Sequence, residues 1–501
     1  METHKLKPHI VIIILMITCI LLFSYVTINR ATVSFTEHLI TNTENSAYDT
    51  SVVDINLDGY LDIVVTGLNH HGGTSGEVRW YKNDGHNVFP TYYTITVDGG
   101  LKIDTADYDA DGYPDVVVAD YGQDALYLYC SGGNPTSVPW TRYTVTTGWD
   151  VATAVYASDI DKDGDMDVVG VSPGSTNKLG WFENTGSHIF ISHTIDSSAI
   201  SPHSLAIGDF NNDGWTDVVC GWGSSGKSIY WYMNDGNPTG VPWSRYQVSV
   251  YGGVDQPMGL FVSDINSDGW NDVVCSATDE NSVLWFENDG TPGTGTWTKH
   301  TLATNFTSTR DCYAEDIDGD RDIDILASAG TCVDHCVAWW ENTDGTGTTW
   351  IKHKLLTGTI TTSSDIYSKD IDQDTDNDIF VCSYDSNTVL WFESTIASPP
   401  PPLPTISFIS INGDGNRTTI FTPNPTFKWT TINDTIYYQL QISKNSVFTD
   451  LVVDLKNINI VTYFTYYSES SGTSTFTLPL SNALPEIRTY YCRVRALTNT
   501  I

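Results

Sequence analysis

A nine-residue pattern that occurs seven times constrains this chain more than any other feature. The pattern reads Asp-x-Asp/Asn-x-Asp-Gly-x-x-Asp, with the sixth residue varying in the last two copies, and it recurs about every fifty residues. The copies span 54–62, 107–115, 159–167, 209–217, 264–272, 316–324 and 370–378. Because so short a unit cannot bury both faces of its own sheet, neighbouring units must stack.

Each repeat predicts four short strands. An apolar stretch precedes the pattern, a β-branched run such as DVVVA follows it, and an aromatic run such as LGWFE and a strand such as WTKHTL come next. Four strands joined by Gly- and Asn-rich turns are typical of a propeller blade. The last repeat stops after VLWFES, and FTEHLI from Phe35 supplies its missing strand. We therefore predict an all-β fold with a seven-bladed β-propeller over residues 31–397, closed by its N-terminal strand.

The nine-residue loops predict calcium sites, because calcium takes six to eight hard oxygen ligands and alternate Asp or Asn residues supply them. The motifs resemble the FG-GAP/VCBS repeats of integrin-type propellers over residues 35–395. The resemblance implies up to seven structural Ca²⁺ ions, bound by side chains at loop positions one, three, five and nine and by the carbonyl of position seven. An EF-hand is excluded, because no Glu stands at position twelve and strands follow the ninth residue.

Carried over to this chain, the resemblance implies the following ligands, loop by loop. They are Asp54, Asn56, Asp58, Tyr60 and Asp62; Asp107, Asp109, Asp111, Tyr113 and Asp115; Asp159, Asp161, Asp163, Asp165 and Asp167; Asp209, Asn211, Asp213, Trp215 and Asp217; Asp264, Asn266, Asp268, Trp270 and Asp272; Asp316, Asp318, Asp320, Asp322 and Asp324; and Asp370, Asp372, Asp374, Asp376 and Asp378.

Position six distinguishes the last two loops from the first five. Five loops carry Gly there, whereas Arg321 and Thr375 replace it in the sixth and seventh. If the position requires positive φ, a non-Gly residue costs roughly 1–2 kcal/mol. We expect the side chains of Asp165, Asp322 and Asp376 at position seven to face solvent, since the family uses the carbonyl there.

The flanking segments differ from the repeats. Residues 1–30 contain an apolar run that predicts a hydrophobic helix, either a cleaved signal peptide or an uncleaved membrane anchor with the N-terminus inside. A Pro-rich linker spans 398–404, and alternating strands in 405–501 predict a small β-sandwich resembling a fibronectin type III or Ig-like domain. No clear final strand precedes the last residue, so a fragment and a domain lacking that edge are both open. A local disulfide between Cys332 and Cys336 is favoured over a metal site.

Charge and location narrow the partners. The chain has 61 acidic and 24 basic residues and a net charge of -37, which excludes nucleic acid as a partner. The export signal predicts an extracellular or cell-surface protein, which would bind an extracellular protein or a glycan. Candidate ligand-binding residues in loops on the face opposite the metal hairpins are Trp149, His203, Trp222, Tyr251, Arg310, His335 and Tyr384. Packing between blades is at least as good an explanation for each of them alone.

No catalytic group stands out, so we predict a binding or adhesion module rather than an enzyme. His38, His193, His300 and His353 share one strand position with tyrosines of other repeats, which favours a packing role. A polysaccharide lyase or related sugar enzyme is the second interpretation, and a cluster of Lys, Arg, Tyr or His in the central cup would favour it. A structural protein of the cell envelope is the third.

Overall fold

The structure is a computed structural model of the 501-residue chain. It describes residues 33–396, except 69–75, 176, 224, 241, 295–296, 332–335 and 356–359, and six strands between 408 and 497. The chain divides into two compact units, Met1–Ala397 and Ser398–Ile501. The predicted N-terminal helix and the Pro-rich linker lie outside the described residues. Within the described part, no helix has the length and apolar character needed to cross a membrane.

The first unit is an all-β propeller of seven four-stranded antiparallel sheets, as predicted. We number the strands in chain order and list the strands of each blade from the innermost outward. Blades 1 and 2 contain β2 (Ala47–Val53), β3 (Asp62–Gly67), β4 (Val78–Lys82) and β5 (Thr91–Thr96), then β6 (Lys102–Ala106), β7 (Asp115–Asp120), β8 (Ala125–Cys130) and β9 (Thr141–Thr147). Blades 3 and 4 contain β10 (Ala154–Ser158), β11 (Asp167–Ser172), β12 (Lys178–Asn184) and β13 (Phe190–Asp196), then β14 (Pro202–Gly208), β15 (Asp217–Trp222), β16 (Ser228–Met233) and β17 (Ser244–Gln247).

The remaining blades follow the same plan. Blades 5 and 6 contain β18 (Pro257–Ser263), β19 (Asp272–Ala277), β20 (Ser282–Glu287) and β21 (Thr298–Ala303), then β22 (Thr309–Glu315), β23 (Asp324–Ala329), β24 (Val337–Asn342) and β25 (Trp350–Leu355). Blade 7 contains β26 (Asp365–Lys369), β27 (Asp378–Ser383), β28 (Thr388–Ile396) and, as its outer strand, β1 (Val33–Thr41).

Strand β1 closes the ring. It pairs antiparallel with β28 from Val33 opposite Ile396 to Thr41 opposite Val389. This pairing covers the edge that blade 7 would otherwise expose, which confirms the closure predicted from the order of strands.

The hydrophobic core lies between the blades. Seven apolar clusters each combine side chains of two neighbouring blades, and the last joins blade 7 to blade 1. The second strand of every blade is buried along its whole length, because neighbours cover both of its faces. That burial accounts for the continuous Val-, Ile- and Leu-containing runs after each loop.

In the second unit the described backbone forms two three-stranded antiparallel sheets. One contains β29 (Phe408–Ile411), β30 (Thr426–Thr430) and β33 (Thr473–Thr477). The other contains β32 (Leu451–Asn459), β31 (Tyr437–Ser443) and β34 (Tyr491–Leu497). The fibronectin type III or Ig-like identity of this unit stays a prediction.

Candidate functional site

The seven acidic loops join the first and second strands of the blades, and all seven share one hydrogen-bond scheme. The carboxylate at position one accepts the amide of position six, as Asp54 does from Gly59 and Asp370 from Thr375. In six of the loops the same carboxylate also accepts the amide of position five. The loop backbone therefore holds the position-one carboxylate before any cation arrives.

The carboxylate at position nine is fully buried and anchors each loop. One of its oxygens accepts the amide of position two, and the other accepts an amide at the end of the third strand of the same blade. In Asp272 these donors are Ile265 at 3.1 Å and Asn288 at 2.7 Å. Each carboxylate oxygen has two lone pairs, so capacity for a metal ligand bond remains.

Burial, opposed by these amide bonds and reinforced by neighbouring carboxylates, raises the pKa of every position-nine Asp. The raised pKa is about 7 in Asp62, Asp115 and Asp167, about 8 in Asp217, Asp272 and Asp378, and about 9 in Asp324. A bound cation would offset this penalty, because it favours the ionised form.

The residues fit a calcium ion. In the second and third loops, three carboxylates offer oxygens within 4.8 Å of one another, namely positions one, three and nine. The sixth loop brings Asp316, Asp318 and Asp320 within the same distance. In the seventh loop, Asp376 Oδ1 is buried and has no hydrogen-bond partner. These are all-oxygen donor sets of the kind that calcium prefers.

Position six has positive φ in all seven loops. The glycines lie between 87° and 99°, and Arg321 and Thr375 adopt 77° and 84°. Position six therefore requires positive φ, and the cost of roughly 1–2 kcal/mol for a non-Gly residue applies to Arg321 and Thr375. Position four is also left-handed throughout, and the sixth loop has Gly319 there, a requirement that the sequence analysis missed.

In the first loop, the ammonium of Lys82 at the end of β4 contacts the side chains at loop positions three and five. Lys82 Nζ lies 2.5 Å from Asp58 Oδ2 and 3.4 Å from Asn56 Oδ1. The Asn56 amide donates to Asp62 Oδ2 at 2.7 Å. Lys82 would compete with a metal ion at this loop, although the loop carries Gly at position six.

The expectation for position seven is wrong for Asp376. Its side chain is buried, and Oδ2 accepts the Ile396 amide at 3.1 Å. The residue that covers it comes from the end of β28, twenty positions along the chain, so the loop motif alone carried no signal for this contact. Asp165 and Asp322 are half-buried.

A central cup opens on the face opposite the acidic loops. Its cavity of about 480 Å³ is lined by the innermost strands of all seven blades. The residues six positions before each acidic loop line the end of the cavity away from the loops, which we call the mouth. They are Tyr48, Leu101, Thr153, His203, Met258, Arg310 and Ser364. Burial lowers the pKa of His203 to about 4, so its imidazole is neutral at physiological pH. The mouth of the cup therefore combines one guanidinium, one neutral imidazole and five uncharged side chains.

One residue deeper, a lysine bridges four blades. Lys102 Nζ lies 2.6 Å from Asp49, 2.5 Å from Asp311 and 3.0 Å from Asp365. The three carboxylates are 3%, 8% and 3% exposed. Burial raises the pKa of Asp49 and brings that of Asp311 to about 7, whereas in Asp365 the Lys102 charge and three hydrogen-bonding side chains outweigh burial and lower the pKa. The sequence analysis missed this cluster, although its four members stand five residues before the acidic loops of blades 1, 2, 6 and 7.

The predicted ligand-face residues fall into three groups. His203 and Arg310 line the cup, and the buried Arg310 Nε has no hydrogen-bond partner. Tyr251 is 68% exposed, and the half-buried Tyr384 contacts Tyr48 at the mouth. Trp149 and Trp222 are buried in the clusters between blades, and His335 lies outside the described residues. Packing, the alternative reading, therefore describes these two tryptophans.

The four matching histidines have a packing role, as predicted. Each stacks on the tryptophan of the third strand, at centroid distances of 4.1–4.5 Å. Each also contacts, at 2.7–2.8 Å, the glutamate two residues after that tryptophan. Blades with Lys82, Cys130 or Met233 in place of the glutamate have tyrosine in place of the histidine. This pairing of His with Glu, and of Tyr with its absence, is readable in the sequence.

The described cysteines include both free and disulfide-bonded residues. Cys220 and Cys275, which follow the matching DVV runs of blades 4 and 5, are buried strand residues with free thiols. Cys336 is disulfide-bonded. Its predicted partner, Cys332, lies outside the described residues.

Comparison with protein families identifies the same repeat. The family model described as FG-GAP-like repeat matches residues 54–118, 107–170, 159–220, 209–275 and 264–327. Among solved structures, the crystal structure of BBS1N in complex with ARL6DN, soaked with mercury, is similar with a TM-score of 0.48 and 13% identity over 72% of this chain and 96% of that chain. A search of curated proteins found no match.

Proposed function

Since the chain belongs to the FG-GAP-like repeat family, we propose that it is a calcium-braced propeller that binds an extracellular glycan or protein through its central cup. The observation that carries the calcium part is the sevenfold recurrence of one loop whose position-one and position-nine carboxylates have the same backbone donors. Loops this alike in every blade are better suited to bracing hairpins than to a single chemical step.

Calcium would contribute stability by binding the folded state only. Its oxygen ligands would come from the loop carboxylates, from Asn at position three where present, and from the position-seven carbonyl. With roughly millimolar calcium and a dissociation constant of about 0.1 mM, linkage gives about 1.4 kcal/mol per site. Seven such contributions are comparable with the whole stability of an ordinary domain, which is about 5–15 kcal/mol.

The cup is the best-supported place for the ligand. It is concave, and it combines aromatic and polar side chains with the guanidinium group of Arg310. A glycan would use the aromatic and hydroxyl groups of the mouth, and a protein loop would use Arg310 and Tyr48. Acidic residues outnumber basic residues by 61 to 24 in the chain, so its net negative charge would repel a polyanion such as nucleic acid.

We place the propeller outside the cytoplasm, on the strength of the apolar run in residues 1–30. An uncleaved run would anchor the chain in the membrane, whereas a cleaved one would release it. A fibronectin type III or Ig-like fold is proposed for residues 405–501, as a spacer or a second adhesion domain. Both proposals come from sequence patterns alone.

A calcium titration of the full-length chain by calorimetry, with thermal melting in parallel, tests the metal proposal. We expect uptake of several ions, a rise in melting temperature, and loosening or unfolding on chelation. Asp264→Asn should remove uptake at one loop, whereas Asp279→Asn, at an exposed Asp outside the loops, should leave uptake unchanged. A melting temperature that responds neither to calcium nor to chelator would refute the proposal.

A glycan array probed with the calcium-loaded protein tests the ligand proposal. Arg310→Ala should abolish binding at the cup, and Arg142→Ala, on the outer strand of blade 2, should retain it. Binding that survives Arg310→Ala places the ligand elsewhere. No glycan and no protein binding would favour the structural envelope role instead.

An enzymatic function is the second candidate, because the cup contains the kind of cluster that favours one. Lys102, His203, Arg310 and Tyr48 all line it, and the pKa of Asp311 is about 7, close to the operating range of a general base. A polysaccharide lyase assay on uronate-containing glycans tests this function. Turnover that Asp311→Asn abolishes would replace the binding proposal, and absence of turnover across the panel would leave binding as the function.

A further inference from the structure

A mixed group of metal-ligating side chains lies between blades 2 and 3. Asp109 belongs to the second acidic loop, Cys130 ends β8, and His188 lies in the turn between β12 and β13. Their ligand atoms all lie within 4.8 Å of one another. The group therefore brings together a carboxylate, a thiol and an imidazole from two blades.

Cys130 occupies a position that faces the acidic loop. Two other blades show the geometry: Lys82 contacts Asn56, and Glu287 contacts Asn266, in each case residue three of the same blade's loop. Cys130 is the equivalent residue of blade 2. Its thiol hydrogen-bonds to Asp115, position nine of the loop, and its sulfur also lies within 4.8 Å of a ligand oxygen of residue three, Asp109. The other blades have Lys, Glu or Met there. A thiol at this position is therefore specific to blade 2.

His188 differs from the other histidines that contact carboxylates. His188 Nε2 lies 3.4 Å from Asp109 Oδ2, whereas the His–Glu pairs of the other blades lie at 2.7–2.8 Å. A separation of 3.4 Å is long for a charge-assisted hydrogen bond. It matches the roughly 3.3 Å between two ligands in a tetrahedral zinc site with bonds of about 2.0–2.1 Å.

The surroundings hold His188 in place. Its ring stacks on Tyr143 with a centroid distance of 3.7 Å and an interplanar angle of 3°. Its backbone is left-handed, with φ of 60°. Asp109 Oδ1 accepts the Asp111 amide at 3.1 Å, which leaves Oδ2 directed toward His188. The imidazole and the carboxylate are therefore oriented toward each other before any ion binds.

We propose that Asp109, Cys130 and His188 form a zinc site that bridges blades 2 and 3. Sulfur and nitrogen ligands select zinc over calcium, which prefers oxygen alone. On binding, the S–H bond of Cys130 breaks, its proton passes to solvent and the thiolate binds the ion, so no oxidant or reductant is needed. The site goes beyond the proposed function. It takes Asp109 from the second acidic loop, so zinc and calcium compete for that residue, and it does not depend on calcium in the other six loops.

Cobalt is the spectroscopic probe for the test. The full-length chain is titrated with Co²⁺ and then with Zn²⁺, first without added calcium and then with saturating calcium, because both ions would use Asp109. We expect one equivalent of Co²⁺ to produce a thiolate-to-cobalt charge-transfer band, and one equivalent of Zn²⁺ to remove it. Cys130→Ser should abolish the band, and His188→Gln should weaken zinc binding by more than about 100-fold, since outer-shell partners alone are worth 10–100-fold.

Matched controls separate the site from general effects. Cys275→Ser removes a buried thiol from β19, and His300→Gln removes a histidine that contacts a glutamate, so both should keep the band. A calcium-induced rise in melting temperature shows that each variant is folded, and it also tests the calcium proposal separately. Absence of the band in the folded wild-type chain, or zinc affinity unchanged in Cys130→Ser, would overturn the site and assign zinc binding to the carboxylate loops.

Discussion

Replacing Lys102 with methionine should destabilise the propeller more than replacing a solvent-exposed lysine does. The substitution keeps most of the length of the side chain but removes the ammonium that lies within 3.0 Å of Asp49, Asp311 and Asp365. Those carboxylates come from blades 1, 6 and 7 and offer oxygens within 4.8 Å of one another. Without Lys102 they become a buried, uncompensated group of like charges.

The expected cost is about 3–5 kcal/mol at neutral pH, the usual effect of removing one partner from a buried ion pair. Lys227→Met is the matched control, because Lys227 also contacts one aspartate, Asp255, but its side chain is 40% exposed. An exposed pair contributes about 0–1 kcal/mol. Urea denaturation with linear extrapolation, in saturating calcium, gives both free energies of unfolding.

The pH dependence provides a second test of the same reasoning. Burial already raises the pKa of Asp49 and Asp311 in the native protein, and removal of the ammonium should raise the pKa of all three carboxyl groups. Since a raised folded-state pKa costs stability as pH rises through it, the defect of Lys102→Met should shrink between about pH 8 and about pH 5. A cost within about 1 kcal/mol of the Lys227→Met control, or a cost independent of pH, would refute the argument.

Three further predictions concern the acidic loops. Thr375→Gly should stabilise the calcium-free protein by about 0.5–1 kcal/mol in urea denaturation, because relief of positive φ exceeds the entropy cost of glycine; Gly164→Thr should do the opposite, and equal signs would contradict the strain argument. Lys82→Glu should tighten calcium binding at the first loop by calorimetry, and unchanged affinity would show that Lys82 does not compete. Without metal, the raised pKa values of Asp272 and Asp324, about 8 and about 9, predict that melting temperature falls from about pH 6 to about pH 9, and that calcium removes this fall; a rise with pH would contradict the assignment.

The local repeat determined the blade count, the closure by β1 and the positions of the acidic loops. These features depend on residues close together in the chain, where period-two strands and alternate carboxylates have direct physical meaning. Even the roles of the histidines could be predicted, because a strand position that alternates between His and Tyr indicates packing. The glutamate partners of those histidines were equally local and could have been read from the same strands.

Only the tertiary structure decided which side chains meet across the ring. Lys102 and Asp365 are 263 residues apart and meet because all seven first strands surround one axis. The same closure buries Trp149 and Trp222 between blades and brings His188 to Cys130 across a blade boundary. A repeat specifies what each blade contributes, whereas the contacts between blades depend on which variant residues the ring places side by side.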